Sequence, residues 1–475
     1  MGKKEKATLI ENLKKHINLK PLSFHTPGHK NGEIIPAALQ NLWPQEIWKS
    51  DLTEIGNLDN LHAPQGCLKE AQRRAAQLVG AKKTYFLVNG SSVGLHAALL
   101  ALSYQKQIFV PRHVHKAVYN GIILAGAQPI SLPVTLDKDL GIPLGIEPEV
   151  LEKYIHLYPE CKLLILPNPT YQGISYKIKE TVQLAKERGL TVILDEAHGS
   201  HFFLHSDFPE DGLSLGADLV IQSWHKTLPA LTQAAVLHVN SNYKGPDPGD
   251  FLRMLQTTSP SYLLLASLDG CRSWLEDVGD TLPAKTITQI CAFKQEMQDL
   301  KNIRIISFSQ GEVDPLKMCL SSNKVSGYGL ADFLSENYHI YVELAEVEYC
   351  LLIFGLDITN NQLQLLGKAL REIDKSLEPL PEREKTRFGQ ESLLPLSLLS
   401  PQKAVYAPKE VVSVEKALGR ICGEYIVKYP PGVPLVIPGE VISEAVINTL
   451  REDKRGLGKT NVLVVKPGEE KNHGW

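Results

Sequence analysis

Four short stretches of this 475-residue sequence hold side chains that could do chemistry together. In Ile221-Gln222-Ser223-Trp224-His225-Lys226-Thr227 an apolar run gives way to a polar turn. Its lysine is a primary amine able to hold a carbonyl carbon as an imine. Earlier in the chain, Asp195 closes the apolar run Thr191-Val192-Ile193-Leu194. A carboxylate there is expected to be buried, and burial is costly unless a cation meets it. A protonated ring nitrogen would serve, and the carboxylate would keep such a ring an electron sink. Val88-Asn89-Gly90-Ser91-Ser92-Val93-Gly94 sets glycines and two hydroxyls where a helix begins, the make-up of a phosphate cradle. Pro111-Arg112-His113-Val114-His115-Lys116 follows another apolar run and offers an imidazole that could stack on an aromatic ring.

Taken singly, each stretch also has an ordinary structural reading. Lys226 could be a solvated surface residue, Asp195 a helix N-cap, one serine a simple cap, and the histidine a polar loop residue. The serine loop is not GxxxxGK[ST], so a nucleotide P-loop is disfavoured.

The elements that must position these residues read as alternating strands and helices from about 66 to 240, the mark of a parallel sheet wrapped by helices. Residues 66–79 carry a helical apolar stripe at 68, 71, 75, 78 and 79. Short apolar runs at 84–88, 108–110, 163–166, 191–194 and 219–221 read as strands, each ending in polar, Gly or Pro residues. Ligands of such folds bind outside the carboxyl ends of the strands, where the four stretches lie. The expected organisation is an N-terminal helix and arm (1–30), a large domain (31–269), a small α+β domain (270–377) and a C-terminal domain (388–475). In the small domain 330–337 reads as a helix, and 340–342 and 350–354 as strands. The charged stretch 378–387 reads as a linker, and 429–434 is rich in Pro and Gly.

Composition narrows the function classes. A net charge of −3 and a pI near 6.6 give no reason to expect nucleic acid or an anionic membrane as partner. No window approaches the roughly 18 apolar residues of a membrane span. No signal peptide is evident, and Lys6 stands where a myristoylation motif wants Ser or Thr. The seven cysteines are scattered without a CxxC pair, so neither a disulfide framework nor a metal site is expected. A reducing, cytoplasmic setting follows as the expectation.

Cradle, stacking histidine, aspartate and lysine come in the chain order of the aspartate-aminotransferase-like, fold type I enzymes that use pyridoxal 5′-phosphate (PLP). More specifically, the sequence resembles the Orn/Lys/Arg decarboxylases in their short bacterial form. The resemblance rests on FHTPGHKNG at 24–32, SDLTEIGNLDNLHAPQG at 50–66, NGSSVG at 89–94, PRHVHKA at 111–117, PNPTYQG at 167–173, LDEAHGSHF at 194–202, QSWHKTL at 222–228, TTSPSYLLLASLD at 257–269 and YPPGVPLVIPGE at 429–440. It covers nearly the whole chain and is specific to the family, not to one substrate.

That resemblance implies an α/β fold: a mostly parallel sheet wrapped by helices, with a small α+β domain and a C-terminal α+β domain. Lys226 would be the Schiff-base lysine and Asp195 the partner of the pyridinium nitrogen. Gly90, Ser91, Ser92 and Ser223 would hold the phosphate and His115 would stack on the ring. His198 would stand near the ring's phenolic oxygen, and His225 by the phosphate or the leaving carboxylate. Thr257 and Ser259 would reach a neighbouring subunit's phosphate, in a homodimer or homotetramer with shared sites. The large members' N-terminal wing is not expected, since FHTPGHK begins at residue 24. The implied reaction is decarboxylation of a basic amino acid in polyamine synthesis, arginine to agmatine first, with lysine and ornithine open. Asp51, Glu54 and Glu440 are candidates for the acid that grips the substrate's distal cation. An aminotransferase or lyase would share the lysine, aspartate and cradle but not the HTPGHK and TTSPSY segments. A silent regulatory paralogue would have lost one of them, and all are present.

Overall fold

A computed structural model of the chain describes residues 8–279, 281–376, 394–427, 432–452 and 459–468. The expected linker at 378–387, residues 1–7 and residues 429–431 of the Pro/Gly-rich segment lie outside the described residues.

The large unit is built on a seven-stranded sheet. Across it the strands run Lys83–Leu87, Ala235–Val239, Leu219–Gln222, Thr191–Asp195, Leu163–Pro167, Gln107–Pro111 and Gln128–Leu132. The central strands read LLILP, TVILD and LVIQ and are buried almost throughout, as strands covered by helices on both faces must be. Neighbours from Gln128–Leu132 through Leu219–Gln222 pair in parallel. Ala235–Val239 pairs antiparallel with both of its neighbours. Two reversals restore direction, so Lys83–Leu87 points the same way as the parallel strands. The carboxyl ends of six strands therefore lie along one edge, and the four chemically suggestive stretches follow four of them.

Helix Gly90–Ser103 follows the first strand and packs on the sheet. Gly94 permits the approach: a Cβ there would lie 2.8 Å from a Leu87 methyl and 3.1 Å from one of Ile221. The N-terminal helix Thr8–Asn18 buries Leu9 and Leu13 against the large unit, and Leu9 N donates to Asp269 Oδ2 at 2.8 Å.

The small unit is a four-stranded antiparallel sheet in the order Ile303–Ile305, Lys317–Ser322, Cys350–Ile353, Leu344–Ala345. Two sequence expectations change here. Helix Tyr262–Val278 runs unbroken through the boundary placed at 269/270. Asp269 and Arg272, fully buried in that helix, pair at 2.8 Å and anchor it to the N-terminal helix, so no domain break can fall between them. Residues 340–342 form no strand. His339 ends helix Gly327–Tyr338 in the left-handed region (φ 54°), and Ile340 N donates back to Leu334 O at 3.0 Å. That helix-terminating bond diverts the backbone from a ladder, which starts only at Leu344.

The C-terminal unit pairs Lys409–Ser413 with Asn461–Val465 and has its own core, including Ile426, Val436, Ile442 and Val464. Its helix Pro401–Tyr406 rests on helix Lys116–Ala125, where Gln402 Nε2 donates to Ile123 O at 2.8 Å.

Candidate active site

The strand ends enclose a cavity of about 450 Å³. Gly90, Ser91, Ser92, His115, Asp195, His198, Ser223, His225 and Lys226 all line it. The structure thus brings together every residue expected in the cofactor site of one subunit.

Lys226 sits in the single helical turn Trp224–Thr227 that follows strand Leu219–Gln222. Its amine is open to the cavity yet surrounded by protein, so burial lowers its pKa while Asp195 and, more weakly, Glu343 oppose that shift. The Nζ lies 3.0 Å from His198 Nε2. Burial and the neighbouring ammonium hold His198 well below the usual imidazole range, so its neutral ring accepts a hydrogen bond from the lysine. The His198 ring stands edge-on to that of Tyr171, centroids 4.6 Å apart.

Asp195 begins no helix. Its Oδ1 accepts a weak bond from Ala197 N at 3.3 Å, and the rest of the carboxylate, 7% exposed, faces the cavity. Burial raises its pKa and the Lys226 charge lowers it. A buried carboxylate so thinly satisfied fits a cationic partner placed in the cavity. The cradle is likewise uncommitted. Asn89, the N-cap of helix Gly90–Ser103, makes no side-chain capping bond. Ser223 Oγ donates to Ser91 Oγ at 2.8 Å, joining the two loops. First-turn N–H groups and three hydroxyls there suit a phosphate. His115 caps the helix Lys116–Ala125 through Nδ1, which accepts from Ala117 N at 3.2 Å and fixes the ring. Burial lowers its pKa to about 4, so it is neutral and can lie on an aromatic face. His225 donates from Nδ1 to Ala234 O at 2.9 Å, which leaves Nε2 for the cavity. Acid, phosphate site, ring contact and amine therefore all fit PLP. Among the described residues no cluster of His, Cys, Asp and Glu could hold a metal ion.

The five remaining candidates lie outside this cavity. Thr257 and Ser259 are exposed, with Thr257 O receiving His62 Nε2 at 2.8 Å. Asp51 pairs with His29 at 3.2 Å, and Glu54 accepts from Asn60 at 2.9 Å. Glu440 is corrected: its carboxylate, 2% exposed, is fully engaged with Arg112 and cannot receive a substrate cation.

Sequence reasoning missed Tyr171 and Glu343. Tyr171 lines the cavity and its hydroxyl donates to Glu343, which the small unit presents from outside. Tyr171 follows strand Leu163–Pro167, so the strand-end rule that found Asp195 could have found it. Nothing local marks Glu343.

A lysine facing an aspartate beneath a helix-start phosphate cradle, on a sheet of this order, defines a fold type I PLP enzyme. The family models agree: residues 7–323 match the Orn/Lys/Arg decarboxylase major domain and 392–454 its C-terminal domain. The chain belongs to the Orn/Lys/Arg decarboxylase family. It is 35% identical to the arginine decarboxylase of Halalkalibacterium halodurans over 466 residues, 96% of this chain and 95% of that one. It is also 35% identical to an arginine decarboxylase of Bacillus subtilis, covering 92% and 91%. The constitutive lysine decarboxylase of E. coli has the same fold, with a TM-score of 0.83 at 20% identity over 97% of this chain and 82% of that one.

Proposed function

We propose that the protein decarboxylates L-arginine to agmatine and carbon dioxide, with PLP held at Lys226. The observation that carries this is the shared cavity of Lys226, Asp195 and the Ser91, Ser92 and Ser223 hydroxyls. Similarity to arginine decarboxylases along nearly the whole chain supports the substrate.

Bound PLP supplies an electron sink for the pair left at Cα as carbon dioxide departs. The chain's own residues do the rest. Asp195 keeps the ring nitrogen protonated, His115 fixes the plane of the ring, and the hydroxyls grip the phosphate. Lys226 Nζ and His198 Nε2, 3.0 Å apart, hold the proton that Cα takes up in place of the carboxylate. Glu343, tied to the cavity by Tyr171 and felt electrostatically at Lys226, is our candidate for the distal-cation acceptor. A carboxylate can take a guanidinium through two bonds, which an ammonium does not match.

The working unit is a homodimer or larger homo-oligomer. Leu19, Leu22 and Phe24 of the N-terminal arm are 77–93% exposed, apolar surface that a neighbouring subunit would cover. Thr257 and Ser259, exposed beyond this chain's cavity, then serve the neighbour's phosphate. The seven unpaired cysteines suit a reducing cytoplasm, and agmatine would feed polyamine synthesis.

Incubating the PLP-loaded protein separately with arginine, lysine and ornithine tests the reading. Carbon dioxide and amine with the highest kcat/KM for arginine are expected. A preference for lysine or ornithine would move the substrate assignment, and keto-acid without gas would overturn the reaction.

A further inference from the structure

Arg112 and Glu440, far apart in sequence, meet in two parallel bonds, Nη1 to Oε1 and Nη2 to Oε2, each 2.9 Å. Their side chains are 9% and 2% exposed. A buried ion pair offsets its desolvation only when the remaining donors and acceptors are met. Here Arg112 Nη2 also donates to Leu435 O at 2.8 Å, and Glu440 Oε2 accepts Ile437 N at 2.9 Å. The turn that presents Glu440 is built for this. Gly439 has φ 97°, and a Cβ there would lie 2.3 Å from Leu399 O, so no other residue fits without displacement.

The joint lies beside the active site. Arg112 immediately precedes His113 and stands three positions before His115, and both histidines line the cavity. Lys116 N, at the start of the helix that His115 caps, donates to Gly432 O at 2.9 Å. The next residue, Val433, is itself a wall of the cavity. One strand end of the large unit and one segment of the C-terminal unit are therefore tied at two points, with an active-site residue on each side.

We propose that Arg112 and Glu440 are positioning residues: their pair latches segment 432–440 onto the start of helix Lys116–Ala125, so that the C-terminal unit supplies Val433 as an apolar wall of the active site. The inference rests on the proposed decarboxylase reading. The wall keeps water from the side of the cavity where His115 stands, and the latch holds that histidine's backbone in register. Neither latch residue lines the cavity, so their effect on turnover is transmitted by position alone.

The test uses full-length, PLP-loaded protein carrying Glu440→Gln, Val433→Ala, or Arg112→Met together with Glu440→Leu. The double variant removes both charges at once, a change buried pairs often tolerate, and serves if Glu440→Gln fails to fold. Backbone hydrogen exchange at 432–440 and 116–118 is measured beside kcat and KM for arginine. Disrupting the latch should speed exchange at both segments and lower kcat/KM about 10²-fold, the cost of a displacement near 1 Å, with the cofactor's visible absorbance retained. Val433→Ala should lower kcat/KM while leaving exchange unchanged. Latch variants that lose thermal stability but keep wild-type kinetics and exchange would reduce the pair to a structural brace and overturn the proposal. An inert Val433→Ala would do the same for the wall. If wild-type protein decarboxylates none of the three amino acids, the functional reading fails on its own, and the exchange comparison still judges the latch.

Discussion

Two lysines stand close to His198, and their surroundings separate their roles. Lys317 is 2% exposed, and its Nζ is spent on Tyr171 O at 2.8 Å. Burial lowers its pKa to about 8, against the pull of Asp314. Lys226 instead opens into the cavity, with Asp195 as its charge partner and His198 as its hydrogen-bond partner. Sequence could find Lys226, Asp195, Ser91 and His115 because each follows an apolar run that had to be a strand. It could not find Glu343, whose place depends on how the small unit folds against the large one. Changing Glu343 to Gln should lower kcat/KM for arginine at least tenfold, since a hydrogen bond to a charged group contributes about 1.5–3 kcal/mol. The melting temperature should not move, because Glu343 is exposed. Equal losses for arginine and for an uncharged analogue of similar length would mean that it does not read the cation.

At the scale of elements, the start of helix Gly90–Ser103 is the part most fitted to an anion. Gly90 N donates to Gln233 O at 2.9 Å, and with no side-chain cap at Asn89 the N–H groups that follow keep their capacity. Replacing Ser91 or Ser223 by Ala should weaken PLP binding about tenfold, one charge-assisted bond each, read by titrating the apoprotein with PLP. Wild-type affinity in both variants would remove the cradle. The arm after helix Thr8–Asn18 answers to assembly instead: Phe24 is 93% exposed. Phe24→Asp should lower the assembled mass in sedimentation, and an unchanged mass would place the subunit contact elsewhere. Element types were legible from apolar periodicity, and the sheet's sense from the alternation with helices. Boundaries were less so. The break placed at 269/270 ignored Asp269 and Arg272, whose burial inside one helix is a tertiary fact. Glu440 was misread for a similar reason, since only the fold brings Arg112 to it.

The molecule as a whole buries several neutral histidines, which makes it sensitive to acid. His238 is fully buried, between Thr84 Oγ1 at 2.8 Å and Gln222 Oε1 at 3.1 Å, and burial lowers its pKa to about 3. His113 is lowered to about 4 by the same cause. A depressed folded-state pKa means that the unfolded chain binds more protons below its own value near 6.5. Stability is therefore intact above that pH and falls as pH drops from about 6.5 towards 4, by roughly 3 kcal/mol per histidine at 1.36 kcal/mol per unit. The raised pKa values of Asp195 and Glu196 give slopes of opposite sign. His238→Gln isolates one histidine: its unfolding free energy should depend less steeply on pH over that range than wild type, and an identical slope would mean His238 does not titrate on unfolding. Every role proposed for the cavity depends on which amine carries PLP. Borohydride reduction of the holoprotein followed by peptide mapping should yield one cofactor-bearing peptide, modified at Lys226. A label on Lys317 or on any other lysine instead would contradict it.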